Sequence, residues 1–187
     1  MTAQTIFLRS EQLWYRAPEE RDVPLLTRWV NNPEVRSFLD SRVFPYGEIV
    51  EKEWLQTVLV KPTGPTPSGV CMLFGRHGEE EPIGSTGVFG INWIARFCEY
   101  GILIGDSKDW NQGLGTEVTK SMVRYAFRDL NLNRVTLRVN AGNPRGRRSY
   151  EKVGFIQEGT LRQSALMNGE LVDIHLMAIL REDWSGE

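Results

Sequence analysis

Apolar positions along this chain recur with two different periods, and the change from one to the other marks out the elements. Leu25, Leu26, Trp29 and Val30 form a stripe at helical spacing. Pro18-Glu19-Glu20-Arg21-Asp22 precedes it, and a proline with carboxylates suits a helical first turn. Asn31-Asn32-Pro33 stops that helix, and a second short one is predicted over 34–39. Ile49, Trp54, Leu55 and Val58 predict a further amphipathic helix over 48–60, whereas 61–69, with three prolines and two glycines, reads as a loop.

Strand patterns dominate elsewhere. One is expected around 13–16, and three more at 70–76, 83–94 and 98–104, with a polar turn from His77 to Pro82 between the first two of these. Val118, Met122, Tyr125, Ala126 and Leu130 then share one face of a helix over 115–129. A strand over 134–139 follows, and a short helix near Tyr150 closes at Gly154. The tail reads as a hairpin, 155–166 and 170–180, around Asn168-Gly169, a pair suited to a two-residue turn with positive φ. Val172, Ile174, Leu176, Ala178 and Leu180 alternate toward one face of its second strand.

This order, antiparallel strands, one strand–helix–strand crossover and a closing hairpin, predicts an α+β fold with a mixed sheet. The crossover is expected to be right-handed and to pair 101–104 in parallel with 135–139. No repeat interrupts the 187 residues, and the length favours one domain over 1–187.

Composition narrows the function classes. A formal net charge of -2 gives no global basic field, so direct nucleic-acid binding is not expected. No apolar run approaches the ~20 residues that span a bilayer, and residues 1–9 lack the features of a secretion signal. Cys71 and Cys98 sit in apolar strand-like runs, which reads as buried reduced thiols in a cytoplasmic protein. His77 and His175 have no clustered partners at ligand spacing, so no metal site is expected.

The segment that carries chemistry runs from Glu99 through Gly105, then from Trp110-Asn-Gln-Gly-Leu-Gly-Thr-Glu117 into a helix. The first N–H groups of a helix have no intrahelical acceptor and stand at its positive end. Gly113 and Gly115 let backbone approach an anion closely. A pyrophosphate would then accept N–H bonds from Gln112, Gly113, Leu114, Gly115 and Thr116. Taken alone, Gly-x-Gly before a helix is also an ordinary tight turn. The third glycine of the dinucleotide fingerprint and the lysine of a nucleoside-triphosphate loop are both missing.

After the next strand stands Asn140-Ala-Gly-Asn-Pro-Arg-Gly-Arg-Arg-Ser-Tyr-Glu-Lys-Val-Gly-Phe155. With the glycine turn, Glu158-Gly-Thr-Leu-Arg162, Asn168-Gly169, Glu182-Asp-Trp184, Trp14-Tyr-Arg16, Asp22 and Trp29-Val-Asn-Asn-Pro33, it resembles the GNAT superfamily of N-acetyltransferases. The resemblance is nearest to the branch that modifies ribosomal-protein N-termini, and covers nearly the whole chain. Trp110 departs from the Gln or Arg that usually begins the family's turn, Gly146 replaces a common Ser, and Arg138 lies on the strand where some relatives carry a glutamate base.

The resemblance implies a GNAT fold: a seven-stranded, mostly antiparallel mixed sheet with helices on both faces and a splayed parallel strand pair. It implies acetyl-CoA as co-substrate, its pantetheine arm satisfying the backbone of Ile102, Leu103 and Ile104. The N–H of Leu103 or Ile104 would polarise the thioester carbonyl. Asn143 would bond the arm, or form an Asx-turn before Pro144. Arg145, Arg147 and Arg148 would meet the 3′-phosphate, or be solvated surface charge.

Tyr150 is the implied general acid and Glu99 the first candidate base, with Glu158 second. Trp29, Asn31, Trp54, Trp93 and Arg162 are candidates for an acceptor groove, and core packing competes for each tryptophan. The implied acceptor is a primary amine on a protein or peptide N-terminus, such as that of a ribosomal protein. The alternatives are a small amine (polyamine, amino sugar or antibiotic) or a non-catalytic acyl-CoA-binding module. A monomer and a homodimer are both compatible with the sequence, and no membrane association is expected.

Overall fold

The computed structural model describes residues 5–39, 44–58 and 67–186. Its strands are β1 (Leu8–Arg9), β2 (Leu13–Arg16), β3 (Val70–Arg76), β4 (Gly84–Asn92), β5 (Phe97–Ile104), β6 (Arg134–Asn140), β7 (Ile156–Met167) and β8 (Glu170–Leu180). Its helices are α1 (Val23–Asn31), α2 (Pro33–Arg36), α3 (Glu48–Val58), α4 (Leu114–Arg128) and α5 (Pro144–Glu151). The strands form one sheet in the order β1-β2-β3-β4-β5-β6-β8-β7, in which only the β5–β6 neighbours are parallel. Among the described residues the sheet therefore has eight strands rather than the expected seven. The extra one, β1, pairs two residues, Leu8 with Tyr15 and Arg9 with Trp14, and is too short to leave a periodic trace.

Helices cover both faces of this sheet. On one, Leu114, Val118, Met122 and Ala126 of α4 pack on Val70, Met72 and Phe74 of β3, Val88 of β4, and Val135 and Leu137 of β6. On the other, Val23, Leu26 and Trp29 of α1 and Leu55 of α3 bury Leu73. Strand β3 is covered from both sides, which is why it reads as an unbroken apolar run instead of an alternating one. Cys71 and Cys98 are buried free thiols, and burial pushes the pKa of each up to about 12.

Several boundaries differ from the sequence reading for local reasons. Arg16 grips the Asp22 carboxylate from β2 with bonds of 2.6 and 2.7 Å, and Asp22 also accepts the Glu19 N–H at 2.7 Å. A 3-10 turn, Glu20–Asp22, is held there, so α1 begins at Val23 with Pro24, not Pro18, in its first turn. Asn32 caps α2 by accepting the Glu34 N–H at 3.1 Å, and the helix ends at Arg36. Ile49, expected to be buried, is exposed. The expected helix residues 59–60, the side chain of Val58 and most of the expected loop lie outside the described residues.

Strand β8 buries apolar side chains on both faces, not one. Met177 and Ile179 join the core under α4, while Ile174 and Val172 pack with Ala165 and Met167 of β7. The hairpin turn is as expected, with φ of 51° at Asn168 and 83° at Gly169. Gly154, expected to cap the Tyr150 helix, has a φ of 105° but follows its end: α5 stops at Glu151, with Lys152 as its C-cap.

The β5–β6 pairing is confined to Phe97–Glu99 against Arg134–Thr136. Residues 101–104 and 137–139, expected to lie within the parallel pair, are unpaired with each other. Strand β5 stays on β4 as far as the Gly84–Ile104 pair, and β6 stays on β8 as far as Asn140–Ile174. Each strand thus keeps its outer neighbour while the inner edges separate.

Candidate active site

Where the two strands separate, the ladder's parity decides which backbone groups face the gap. The Gly105 N–H donates to the Ile83 carbonyl at 3.0 Å, and the register with β4 runs unbroken from Ile104 back to Glu99. In an antiparallel ladder, bonded pairs alternate. Leu103 and Gly101 therefore spend their N–H and C=O groups on β4, and Tyr100, Ile102 and Ile104 direct theirs toward β6. The same parity holds where β5 and β6 still touch: the Arg96 carbonyl accepts the Arg134 N–H at 3.1 Å, and the Cys98 carbonyl accepts Thr136 Oγ1–H at 3.0 Å. Of the three backbone partners expected for the arm, Ile102 and Ile104 face the gap and Leu103 does not. The Ile104 carbonyl also accepts the Trp110 Nε1–H at 3.3 Å.

The start of α4 opens onto the same gap. Gly113 has a φ of 81° and Asn111 one of 60°, and no side chain caps the helix. Among the described residues the N–H groups of 111–115 have no acceptor. The Thr116 N–H does: it donates to the Gly113 carbonyl at 3.0 Å, which removes it from the predicted set. Gln112 turns its side chain away, accepting from Arg76 at 2.9 Å and donating to the Lys108 carbonyl at 2.7 Å, so only its backbone remains for an anion. Gly113, Leu114 and Gly115 line a cavity of about 430 Å³ that runs through the gap; Gln112 and Thr116 do not.

Helix α5 supplies another wall. Asn143 Oδ1 accepts the Gly146 N–H at 2.9 Å, the cap that an Asx-turn predicts, while the residue still lines the cavity. A Cβ at position 146 would lie 2.7 Å from Asn143 Nδ2, so the asparagine side chain packs directly on Gly146. Of the three arginines, Arg145 alone lines the cavity, its guanidinium 4.0 Å over the Trp110 ring and 5.4 Å from that of Phe38. Arg147 pairs with Glu151 at 2.7 Å, and Arg148 is exposed.

Tyr150 lines the cavity on the α4 side of the sheet, with its ring packed on Tyr100 and Phe155. Its hydroxyl has no hydrogen-bond partner among the described residues, and burial pushes the phenol up to about 12. It is therefore protonated throughout the physiological range. The Tyr100 hydroxyl is instead engaged with Thr119 Oγ1 at 3.0 Å.

The opposite end of the cavity belongs to the other face of the sheet. Glu99 lies there, exposed, with Arg138 and Asn140 of β6; Val35, Phe38 and Leu39, in and after α2, also line the cavity, and Phe38 reaches the Trp110 ring at the glycine turn. Little in the residue pattern points to these α2 side chains, because the helix is a single capped turn without a periodic stripe. Glu158 is elsewhere, on the outer strand β7, where Arg134 grips it with two bonds and holds its carboxyl below the usual range.

None of the five predicted acceptor-groove residues lines the cavity. Trp29 is buried against Gly105, and Trp54 packs with α1. Trp93 Nε1–H donates to the Pro67 carbonyl at 2.9 Å, and Arg162 is exposed on β7. Asn31 staples the chain, donating to the Thr27 and Tyr46 carbonyls at 2.8 and 2.6 Å and accepting the Tyr46 N–H at 3.1 Å. No group of three or more His, Cys, Asp or Glu side chains among the described residues is arranged to hold a metal, and no described helix is long and apolar enough to cross a membrane.

Known proteins resemble this chain. The spermidine N(1)-acetyltransferase of Vibrio cholerae serotype O1 is 27% identical over 175 residues, covering 94% of this chain and 96% of that protein. YdaF of Bacillus subtilis, provisionally named a ribosomal N-acetyltransferase, is 30% identical over 104 residues, 56% of each chain. The crystal structure of a Vibrio cholerae spermidine N-acetyltransferase in complex with CoA and spermine matches with a TM-score of 0.81 at 25% identity, covering 92% of this chain and 97% of that one. The family model for the acetyltransferase (GNAT) domain matches residues 12–156, from β2 to the first residue of β7. On that match the chain belongs to the GNAT family and is an acetyltransferase that takes its acetyl group from acetyl-CoA.

Proposed function

We propose that this acetyltransferase modifies the α-amine of a protein or peptide N-terminus, such as that of a ribosomal protein, by direct attack in a ternary complex. One catalytic domain, 1–187, carries the reaction in this reading. The observation that carries it is the cavity, which joins the uncapped start of α4 on one face of the sheet to Glu99 on the other through the β5–β6 gap.

The donor's pyrophosphate rests on the N–H groups of Gln112, Gly113, Leu114 and Gly115, and its pantetheine arm on the gap-facing backbone of Ile102 and Ile104 and on Asn143. An N–H of Ile102 or Ile104 then polarises the thioester carbonyl. The amine nitrogen attacks the carbonyl carbon from the Glu99 side, the N–C bond forms and the C–S bond breaks. Glu99 takes the amine proton, directly or through water. Tyr150, as general acid, supports the departing thiolate by donating a hydrogen bond, and the proton released from the amine reaches the sulfur through solvent to complete the thiol. A phenol held near 12 is a weak acid, and an ordinary thiol titrates near ~8.5, so assistance to the sulfur does not require full ionisation of Tyr150.

The cavity's acceptor end favours an α-amine. Among the described residues Glu99 is the acidic side chain at this end, and Arg138 lines the cavity with it, a poor setting for a polycation. An α-amine, with a pKa near ~8, also loses its proton far more readily than an alkylamine near ~10.4. The spermidine-acetylating relative supports a second reading, in which the acceptor is a small amine. A panel of N-terminal peptides, polyamines and amino sugars, followed by thiol release and product mass, separates the two. Turnover confined to polyamines would refute the N-terminal reading.

A further inference from the structure

We infer that Arg76, two strands away from the gap, is the positioning residue that makes the start of α4 hospitable to phosphate; the inference rests on the donor site proposed above. Asp109 stands just before the glycine turn and lines the cavity, yet its side chain is only 4% exposed. A carboxylate on the wall of an anion site repels the anion, and a buried one is costly unless paired. Arg76 reaches across from the end of β3 and supplies the pair, donating to Asp109 Oδ1 at 2.7 Å. The same guanidinium donates to Gln112 Oε1 at 2.9 Å, and Gln112 in turn closes the turn onto the Lys108 carbonyl at 2.7 Å. One cation thus cancels the adverse charge and fixes the loop whose N–H groups 111–115 lack acceptors among the described residues.

Cutting this ion pair from its two ends has opposite consequences. In Arg76→Gln the carboxylate is left uncompensated beside the phosphates. In Asp109→Asn the cation stays and the repulsion goes. Full-length variants are to be titrated with CoA by calorimetry and assayed with acetyl-CoA and with acetyl-pantetheine, which has the arm without the diphosphate.

Arg76→Gln is expected to weaken CoA binding about tenfold or more, a change of about 1.4 kcal/mol per decade, with acetyl-pantetheine turnover unchanged. Asp109→Asn is expected to hold or tighten CoA. If Arg76→Gln does not fold, Asp109→Asn decides, since a loss of CoA affinity there overturns the proposal. Equal loss in both variants, or a proportional loss with acetyl-pantetheine, would make the pair a plain structural bridge. No loss of CoA affinity in Arg76→Gln likewise overturns it. A wild-type chain that binds CoA no better than pantetheine would remove the phosphate seat itself, a failure of the donor site that is visible before any variant is made.

Discussion

The ring of Tyr150 stands edge-on to that of Tyr100, with centroids 6.2 Å apart and planes at 87°. Tyr100 is tied by its hydroxyl to Thr119 on α4, and Thr119 Oγ1–H also donates to the Gly115 carbonyl at 2.6 Å. The two phenols thus divide their labour: one braces the helix that begins the phosphate site, and the other leaves its hydroxyl in the cavity. Tyr150→Phe should preserve the packing and lower kcat by about 10²-fold, the lower range for a general acid, with KM for acetyl-CoA little changed. Steady-state kinetics with saturating amine check this, and an unchanged kcat would remove Tyr150 from the chemistry.

Glu99→Gln tests the other end of the cavity. A neutral amide cannot accept the amine proton, so the acceptor's kcat/KM should fall most at low pH, where less amine is already free. Calorimetric CoA affinity should be unaffected. A uniform loss across pH would mean that Glu99 binds the acceptor without acting as a base.

Neutral thiols and phenols shielded from water set the alkaline limit of the fold, Tyr15, Tyr100 and Tyr125 among them. Cys71, Cys98 and Tyr150 are each held up to about 12 by burial. In the unfolded chain a thiol titrates near ~8.5 and a phenol near ~10. The unfolded state therefore loses protons first, and the contribution of these groups to stability should be flat below the ordinary thiol pKa and decline from there toward pH 12. Urea midpoints measured from pH 7 upward should show this. Replacing both cysteines by alanine should delay the decline to the phenol range.

Two glycines should respond to alanine for different reasons. At Gly113 nothing lies within 4 Å of the methyl that alanine would add, but φ is 81°, so the cost is backbone strain alone, about 1–2 kcal/mol. CoA affinity should fall with it as the turn distorts. At Gly105 a Cβ would meet Trp29 Nε1 at 2.0 Å, an overpacking clash expected to cost about 1–3 kcal/mol or more. Thermal melts with and without CoA distinguish them: ligand stabilisation should be impaired for Gly113→Ala and preserved for Gly105→Ala.

The sequence is legible where a local rule suffices. Asn168-Gly169 announces its turn, the α4 stripe its buried face, and Gly113 the opening of the helix. It misleads where a distant partner decides the outcome. The Thr116 N–H is lost to Gly113, and the Leu103 backbone is committed to β4 by register, which no residue type reveals. Glu158 is taken by Arg134, which reaches from β6 across β8, and Asn31 by Tyr46. The α2 wall of the cavity stays hidden because one turn of helix carries no period. Arg76 is hidden for the opposite reason, since it ends a strand whose apolar run draws attention to its interior.

The parted strands β5 and β6 have a mechanical consequence. Within the sheet itself only three residue pairs join β5 to β6 among the described residues; the rest of the bond between the two halves is α4, packed on both from one face, and the contacts of Tyr150 and Phe155 with Tyr100. The sheet is thus two rafts hinged at one end of their seam and spanned on one face by α4. Once the arm is seated it bridges the rafts, so occupancy should slow amide exchange at Ile102 and Ile104 and stiffen the floor beneath the amine. Release of the spent thiol would then loosen the whole assembly, tying each catalytic cycle to a cycle of rigidity.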